Sequence, residues 1–568
     1  MDRCAIRPRS SWFPVAWLAL IVAAISCGSE SVTDDTPLFV ETALDAGIDF
    51  DHEHGGTGRY YYVEIMAGGG AWIDFDGDGD LDLYAVQGQN LGNAPPTLTD
   101  RIYRNLGATP GERVPRFEDA TEELGLEMTG YGLGAAAGDF DNDGWTDLYV
   151  TQLGSNVLLR NDSGQGFEDV SAAAGVTGNE LSSSAAFVDL DGDGWLDLYV
   201  TNYLRYRLES DKICTDMVGL PEYCGPQSYE PERDRLYRNR GDGTFEDVTR
   251  SAGIDVRGPG LGVVTADFDR DGRLDIYVAN DQAANHLWMN LGDFRFREEG
   301  MIRGAAVDRN GKVEASMGVE VADLDADGDE DLFMTHLIGE TNTLYLNDGS
   351  GYFADVSLGS ALGQKSLRWT GFGCALFDAD RDGRLDLFVA NGAVRADPTQ
   401  RSQGDPLPYR EPNLLFLNTG DGEFHDVSHR LLDSGVDQVS RAAAPGDVDD
   451  DGDLDLAVFN IGGPLQLYLN ETSNENHWIG LRLLDSNGRD AQGAEVRWSD
   501  LEGRTFLRRV SSTAGYLSAR DPRLLIGLGS ADIPVDLDVR WTDGSREFWQ
   551  QLGVDRYHEL VQGEGTAP

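Results

Sequence analysis

One nine-residue phrase recurs seven times along this chain, and it limits what the rest can fold into. Its first copy reads Asp74-Phe-Asp76-Gly-Asp78-Gly79-Asp80-Leu-Asp82, and the others open at Asp139, Asp189, Asp267, Asp323, Asp378 and Asp447. Positions 1, 3, 5 and 9 are always aspartate and position 6 is always glycine. Carboxylates at positions 1, 3 and 5 form the spacing that wraps a short loop around a hard cation, and glycine permits the tight turn. The candidate ligands are Asp74, Asp76, Asp78 and Asp82; Asp139, Asp141, Asp143 and Asp147; Asp189, Asp191, Asp193 and Asp197; and Asp267, Asp269, Asp271 and Asp275. Asp323, Asp325, Asp327 and Asp331, then Asp378, Asp380, Asp382 and Asp386, then Asp447, Asp449, Asp451 and Asp455 complete the set. A helix–loop–helix calcium site would carry a bidentate glutamate at position 12. Here that position holds Ala85, Val150, Val200, Val278, Met334, Val389 and Val458, inside strand-like text such as Asp147-Leu-Tyr-Val150. The loops therefore read as strand–loop–strand sites.

The loop starts lie 65, 50, 78, 56, 55 and 69 residues apart, a period of about 50 with insertions, which is propeller-like. Before each loop stands a run of small residues, as in Gly132-Leu-Gly-Ala-Ala-Ala-Gly138. After it come an alternating strand, a strand ending in asparagine (Asn105, Asn161, Asn239, Asn290, Asn347, Asn418, Asn470) and, past a Gly/Asp turn, a strand opening on phenylalanine. Four strands per unit make a propeller blade. The seventh unit stops at Asn470 without its fourth strand. Near the other end of the chain, Phe39-Val-Glu-Thr-Ala-Leu-Asp-Ala-Gly-Ile48 matches Phe245-Glu-Asp-Val-Thr-Arg-Ser-Ala-Gly-Ile254. The expectation is an all-β, seven-bladed β-propeller over residues 38–470 whose N-terminal strand completes the last blade and removes the exposed edges. An open solenoid would need shorter, glycine-tandem repeats.

The formal net charge is −54 over 568 residues, and the 28 loop aspartates supply much of it. Seven divalent cations would add +14, leaving −40. Phosphate is repelled by such a surface, so nucleic acid is not an expected partner. Seventy glycines, regular strands and 53 aromatic residues argue against a disordered acidic chain.

Arg3, Arg7 and Arg9 precede an apolar run from about Val15 to Ile25, a secretory signal too short to span a bilayer. Ala24-Ile25-Ser26-Cys27 resembles a bacterial lipobox, with alanine in place of the usual leading leucine. The resemblance implies lipidation at Cys27 as the single membrane link; simple cleavage near Ser26 would give a secreted product. Residues 28–37 read as a tether. Cys214 and Cys224, ten residues apart in one insertion, are expected to pair in an exported protein.

The repeat over residues 38–470 resembles the FG-GAP, integrin-α-like or VCBS family. That resemblance implies Ca²⁺ at about seven structural sites, held by the four aspartates and by the backbone carbonyl at position 7: Asp80, Trp145, Trp195, Arg273, Asp329, Arg384 and Asp453. After Asn470 the period stops. Asn476-His-Trp-Ile-Gly-Leu-Arg-Leu, Gly493-Ala-Glu-Val-Arg-Trp, Ser512-Thr-Ala-Gly-Tyr-Leu-Ser518 and Val539-Arg-Trp-Thr-Asp-Gly544 suggest a small β-sandwich over 471–562, with a tail at 563–568. These phrases resemble the ASPIC/UnbV domain of the cartilage-acidic-protein family, as do Gly68-Gly-Gly-Ala-Trp-Ile-Asp74 and Cys214…Glu222-Tyr-Cys-Gly-Pro226. The family implies export and calcium binding and gives no ligand.

Asp51-His52-Glu53-His54 could set two imidazoles on one strand face, but with no third ligand it reads as a structural entry strand. Arg240-Gly241-Asp242 spells an adhesion tripeptide, yet it sits where Thr419-Gly-Asp-Gly422 makes the equivalent turn in another blade. No nucleophile elbow, Walker loop, dinucleotide fingerprint or zincin motif occurs. The leading expectation is a non-catalytic binding, adhesion or scaffold protein at the cell surface. It would present loops, among them the insertions 200–233 and 392–412, to an extracellular protein or glycan. The alternative is a calcium-dependent lyase or hydrolase of carbohydrates, which would need basic and aromatic residues to converge in the central funnel. Arg368-Trp369 and Tyr203-Arg-Tyr-Arg207 are the stretches that could supply them.

Overall fold

The computed structural model describes residues 36–567 except 92–96, 110, 112, 127, 421–422, 433–434, 501–502 and 534. The leader, Cys27 and most of the tether lie outside the described residues.

The strand pairings lay out seven four-stranded antiparallel units among those residues, in a β-propeller arrangement. The first comprises Gly70–Ile73, Asp82–Ala85, Arg101–Asn105 and Phe117–Asp119. Each innermost strand abuts the next around the circle, and the one at Ser440–Gly446 returns to Gly70–Ile73. Crowding at the axis explains the small residues: Gly132–Gly138 is buried at every position. The seventh unit takes its fourth strand from the N-terminus, where Phe39 lies opposite Asn470 and Glu41 opposite Tyr468, and the short strand Leu431–Leu432 pairs in parallel along its outer edge. Phe39 is fully buried, edge-on to Phe377 of the preceding unit.

Antiparallel order puts the aspartate loops, between first and second strands, on one side of the ring. The two insertions join second to third strands and so fall on the opposite side. There Tyr60, Tyr62, Tyr203, Tyr206, Tyr223, Tyr229 and Tyr409 pack against one another. The Tyr62 and Tyr203 hydroxyls lie 2.7 Å apart, and Tyr223 and Tyr409 donate to Glu64 and Glu222 at 3.0 Å each. Cys214 and Cys224 are disulfide-bonded within the first insertion.

The C-terminal module has two sheets around one core. One is ordered Leu524–Gly529, His477–Leu484, Tyr557–Val561; the other Thr505–Arg509, Glu495–Ser499, Val535–Arg540, Arg546–Leu552. Ile479, Leu481, Val496, Trp498, Leu537, Val539 and Trp541 fill the space between. The module rests on the aspartate-loop side and sends a hairpin, residues 513–519, down the axis of the ring. Ser518 and Ala519 pair in parallel with Gly70 and Ala71. Ala135 and Val319 donate backbone N–H to the carbonyls of Leu517 and Gly515. Tyr516 is 1 % exposed, packs on Phe372, and donates to the Met66 carbonyl. The axis is thus filled by the chain's own backbone and side chains.

Candidate metal centres

Each aspartate loop is shaped by two left-handed residues. Position 6 is glycine throughout, with φ between 84° and 97°. Position 4 is also left-handed in all seven loops, at Gly77, Asn142, Gly192, Arg270, Ala326, Arg381 and Asp450. Only glycine adopts this region freely, so five loops hold a strained residue there. The two reversals turn successive carboxylates inward.

The aspartates then divide the work. Position 5 accepts the amide of position 7 at 2.9–3.1 Å in every loop, an Asx turn that closes the loop. Position 9 anchors it. One oxygen takes the position-2 amide and the other takes the amide of the blade's asparagine, as in Asp147 with Phe140 and Asn161. Position 3 is different: in all seven loops one oxygen, Oδ1 of Asp76, Asp141, Asp191, Asp269, Asp325, Asp380 and Asp449, is buried with no hydrogen-bond partner. A buried carboxylate oxygen without a donor is costly, and a bound cation would satisfy it.

Ligand oxygens of Asp74/Asp76/Asp78, Asp139/Asp141/Asp147, Asp189/Asp191/Asp197, Asp267/Asp269/Asp271 and Asp323/Asp325/Asp331 each converge within 4.8 Å. These groups could hold metal ions. Burial lifts Asp139, Asp189 and Asp323 to about 6 and Asp378 and Asp447 to about 7, with neighbouring aspartates adding to it. Burial carries Asp82 and Asp331 higher, to about 8. So much negative charge held away from water is the condition a divalent cation relieves. All-oxygen donors fit a hard cation, so the residues present suit calcium. Position 7 is aspartate at Asp80, Asp329 and Asp453; Trp145 and Trp195 there pack on Gly77 and Gly241 of the neighbouring turns.

Two contributions were not legible in the sequence. Each third-strand asparagine donates its side-chain N–H to the position-2 carbonyl of the preceding loop: Asn161 to Phe75, Asn239 to Phe140, Asn290 to Leu190, Asn347 to Phe268, Asn470 to Ala379, and Asn105 back to Val448, at 2.8–3.0 Å. The Asn418 bond to Leu324 is longer, 3.5 Å. The spacing of the asparagines was visible; their partners, one blade back, were not. The second contribution comes from the C-terminal module, which bonds to position-1 carboxylates. Arg540 reaches Asp267 at 3.1 Å, the Leu507 amide reaches Asp323 at 3.2 Å, the Gly527 amide reaches Asp378 at 3.1 Å and the Tyr557 hydroxyl reaches Asp447 at 2.6 Å.

His52 is buried and lowered to about 3 by burial, and its Nδ1 accepts from Gly462 at 3.4 Å. Asp242 accepts from both the amide and the hydroxyl of Thr244, ordinary turn chemistry. Tyr203 belongs to the tyrosine cluster, whereas Trp369 is partly buried against a separate core cluster that includes Leu362 and Cys374; the two stretches occupy different clusters.

The FG-GAP-like repeat pattern matches residues 74–150, 139–200, 216–278, 267–334 and 323–389, and the ASPIC and UnbV pattern matches 484–567. The seventh aspartate loop lies beyond the matched repeats. Cartilage acidic protein 1 of Xenopus tropicalis is 26% identical over 314 residues, 54% of this chain and 38% of that protein; the Homo sapiens protein is 25% identical over 320 residues, 54% and 37%. The match therefore spans little more than a third of each relative. Among solved structures, an Agrocybe aegerita lectin that recognises terminal N-acetylglucosamine aligns at TM-score 0.36 and 16% identity, covering 63% of this chain and 79% of its own. A Bacillus licheniformis rhamnogalacturonan lyase aligns at TM-score 0.30 and 13% identity, covering 85% and 81%. Aspartate loops, repeat matches and the terminal module together place the chain in the family of FG-GAP-like repeat proteins bearing an ASPIC and UnbV domain.

Proposed function

We propose that this chain is an exported calcium-binding propeller that acts as a non-catalytic scaffold, offering the face opposite its aspartate loops to an extracellular protein or glycan. One observation carries the reading. The axis is filled by the chain's own hairpin, and the two insertions on the opposite face are clamped to each other, Arg401 of one bonding Asp216 and Glu222 of the other at 3.0 Å. A braced outer surface with a filled centre suits recognition.

Calcium supplies compensating positive charge to buried carboxylates and fixes the loops that set blade spacing. Position 3 offers its orphaned oxygen, position 5 closes the turn, position 9 ties the loop to its own blade, and the asparagine ties it to the next. The disulfide, the leader and the family resemblance support export, with Cys27 as the lipid anchor. The test is to screen the full chain against glycan arrays and cell-surface proteins, in calcium and in EDTA. Selective, calcium-dependent binding without turnover is expected. Glycan cleavage that one substitution abolishes while calcium stays bound would make the protein a carbohydrate-active enzyme instead.

A further inference from the structure

Four large apolar side chains are exposed within eight residues of the first insertion. Ile213 is 79%, Met217 103%, Val218 82% and Leu220 46% exposed. This is a finger, residues 213–224, and its backbone is held firmly. Cys214 and Cys224 are bonded, and Cys214–Thr215 pairs with Pro221–Glu222. At the tip one oxygen of Asp216 accepts the amides of Val218 and Leu220 at 2.9 Å, and the Asp216 amide donates to the Leu220 carbonyl at 2.9 Å. The other Asp216 oxygen meets Arg401, which also holds Glu222, and Tyr409 holds Glu222 from beneath. The apolar residues are therefore presented on a locked turn rather than left over on a loose one. An ordered cluster of this kind is how interfaces build an anchor, because little freedom remains to be lost on binding.

We propose that the finger is a docking knob that inserts into an apolar pocket, rimmed by lysine or arginine, on a partner protein. The inference rests on the scaffold reading above. Charge selects the occupant. Residues 213–224 contain no lysine or arginine, their two acids are already paired with Arg401, and the Lys212 ammonium is tied to the Ser228 carbonyl, so no cation of the finger is free to hold a phospholipid headgroup. The chain as a whole carries −54, which disfavours both an anionic membrane and a second copy of itself. A basic rim is the complement.

The experiment uses the full chain in calcium. A photoreactive Ile213→p-benzoylphenylalanine variant is irradiated on cells that express it, the cross-linked protein is identified and purified, and it is titrated against wild type, Met217→Ser/Val218→Ser and Met217→Leu. The expected result is a protein adduct, wild-type binding that weakens as salt rises, affinity roughly a hundredfold lower for the double variant, and near-wild-type affinity for Met217→Leu. Unchanged melting of the double variant shows that the ring is intact. Equal affinity of wild type and double variant would overturn the knob while leaving the scaffold reading standing. Absence of any protein adduct would overturn the knob, and the scaffold reading would fall with it only if the glycan and cell-surface screens also returned no ligand. Flotation of wild type but not the variant with phosphatidylcholine/phosphatidylglycerol vesicles would assign the finger to membranes. Concentration-dependent oligomers lost in the variant would assign it to self-association. Either of these also overturns the proposal.

Discussion

Replacing Asn161 by alanine tests the stitching of one blade to the next. Its side chain is 1% exposed, donates to the Phe75 carbonyl at 2.8 Å and to the Thr146 carbonyl at 3.2 Å, and accepts the Gly164 amide at 2.9 Å. Alanine leaves two acceptors and one donor without partners. At about 1–3 kcal/mol for a buried group and less where water can reach, the cost is about 4 kcal/mol. Asn418 occupies the same place one turn from the end, but its bond to the neighbouring blade is 3.5 Å, at the limit of a hydrogen bond. Asn418→Ala should therefore cost about 2 kcal/mol. If residues 37–568 melt as one unit, an unfolding entropy of about 2.1 cal/mol/K per residue converts these to drops of roughly 4 °C and 2 °C. Scanning calorimetry in fixed millimolar calcium, so that ligand stabilisation is constant, reads them directly. Equal drops, a reversed order, or less than half a degree for Asn161→Ala would refute the staple argument.

Other expectations follow from the same geometry. Chelation should lower the melting temperature by about 10 °C, from seven sites each contributing about 1.4 kcal/mol at ten times Kd; an unchanged calorimetric trace in excess EDTA would remove calcium from the account. Gly194→Ala meets no atom within 4 Å, so its cost is backbone strain alone, about 1–2 kcal/mol, whereas a Cβ on Gly452 lies 1.8 Å from Trp478 and should also loosen the C-terminal module; limited proteolysis of the two variants separates strain from collision. Burial raises Asp234 to about 7, although it accepts from Tyr199 and the Asn202 amide at 2.9 Å. Its folded value lies above the unfolded one, so its contribution is complete below about pH 4 and is lost as pH rises through 7, by at most on the order of 4 kcal/mol. Asp234→Asn should flatten the fall in melting temperature between about pH 4 and 7, and parallel curves for the two proteins would refute the assignment.

Much of this was legible because the blade is a local pattern written many times. The aspartate spacing gave the loops, the phenylalanine offset between Phe39 and Phe245 gave the outer strand that pairs with Asn470, and cysteine spacing gave the disulfide. What escaped depends on contacts between distant segments. Position 4 of the loop is left-handed everywhere, yet its occupants, from Gly77 to Arg381 to Asp450, share no chemistry that marks it. The run Ser512-Thr-Ala-Gly-Tyr-Leu-Ser518 reads as part of the small sandwich, and nothing in it announces that Tyr516 lies against Phe372 in the middle of the ring. The tyrosines of the opposite face are scattered from Tyr60 to Tyr409, and only the fold collects them.

The pairing of Phe39 with Asn470 also dictates a timetable. The Thr42 hydroxyl finds its acceptor, the Leu467 carbonyl, 425 positions further along. A polypeptide delivered amino end first has one ribbon of its final blade in hand before any of that blade's other ribbons exist. Six blades can assemble one after another from neighbouring sequence, but the clasp must wait with its phenylalanine uncovered. Such late, long-distance joining is slow and leaves a sticky edge open to wrong partners. Until Asn470 is made, the strand that opens on Phe39 has no antiparallel ladder to join.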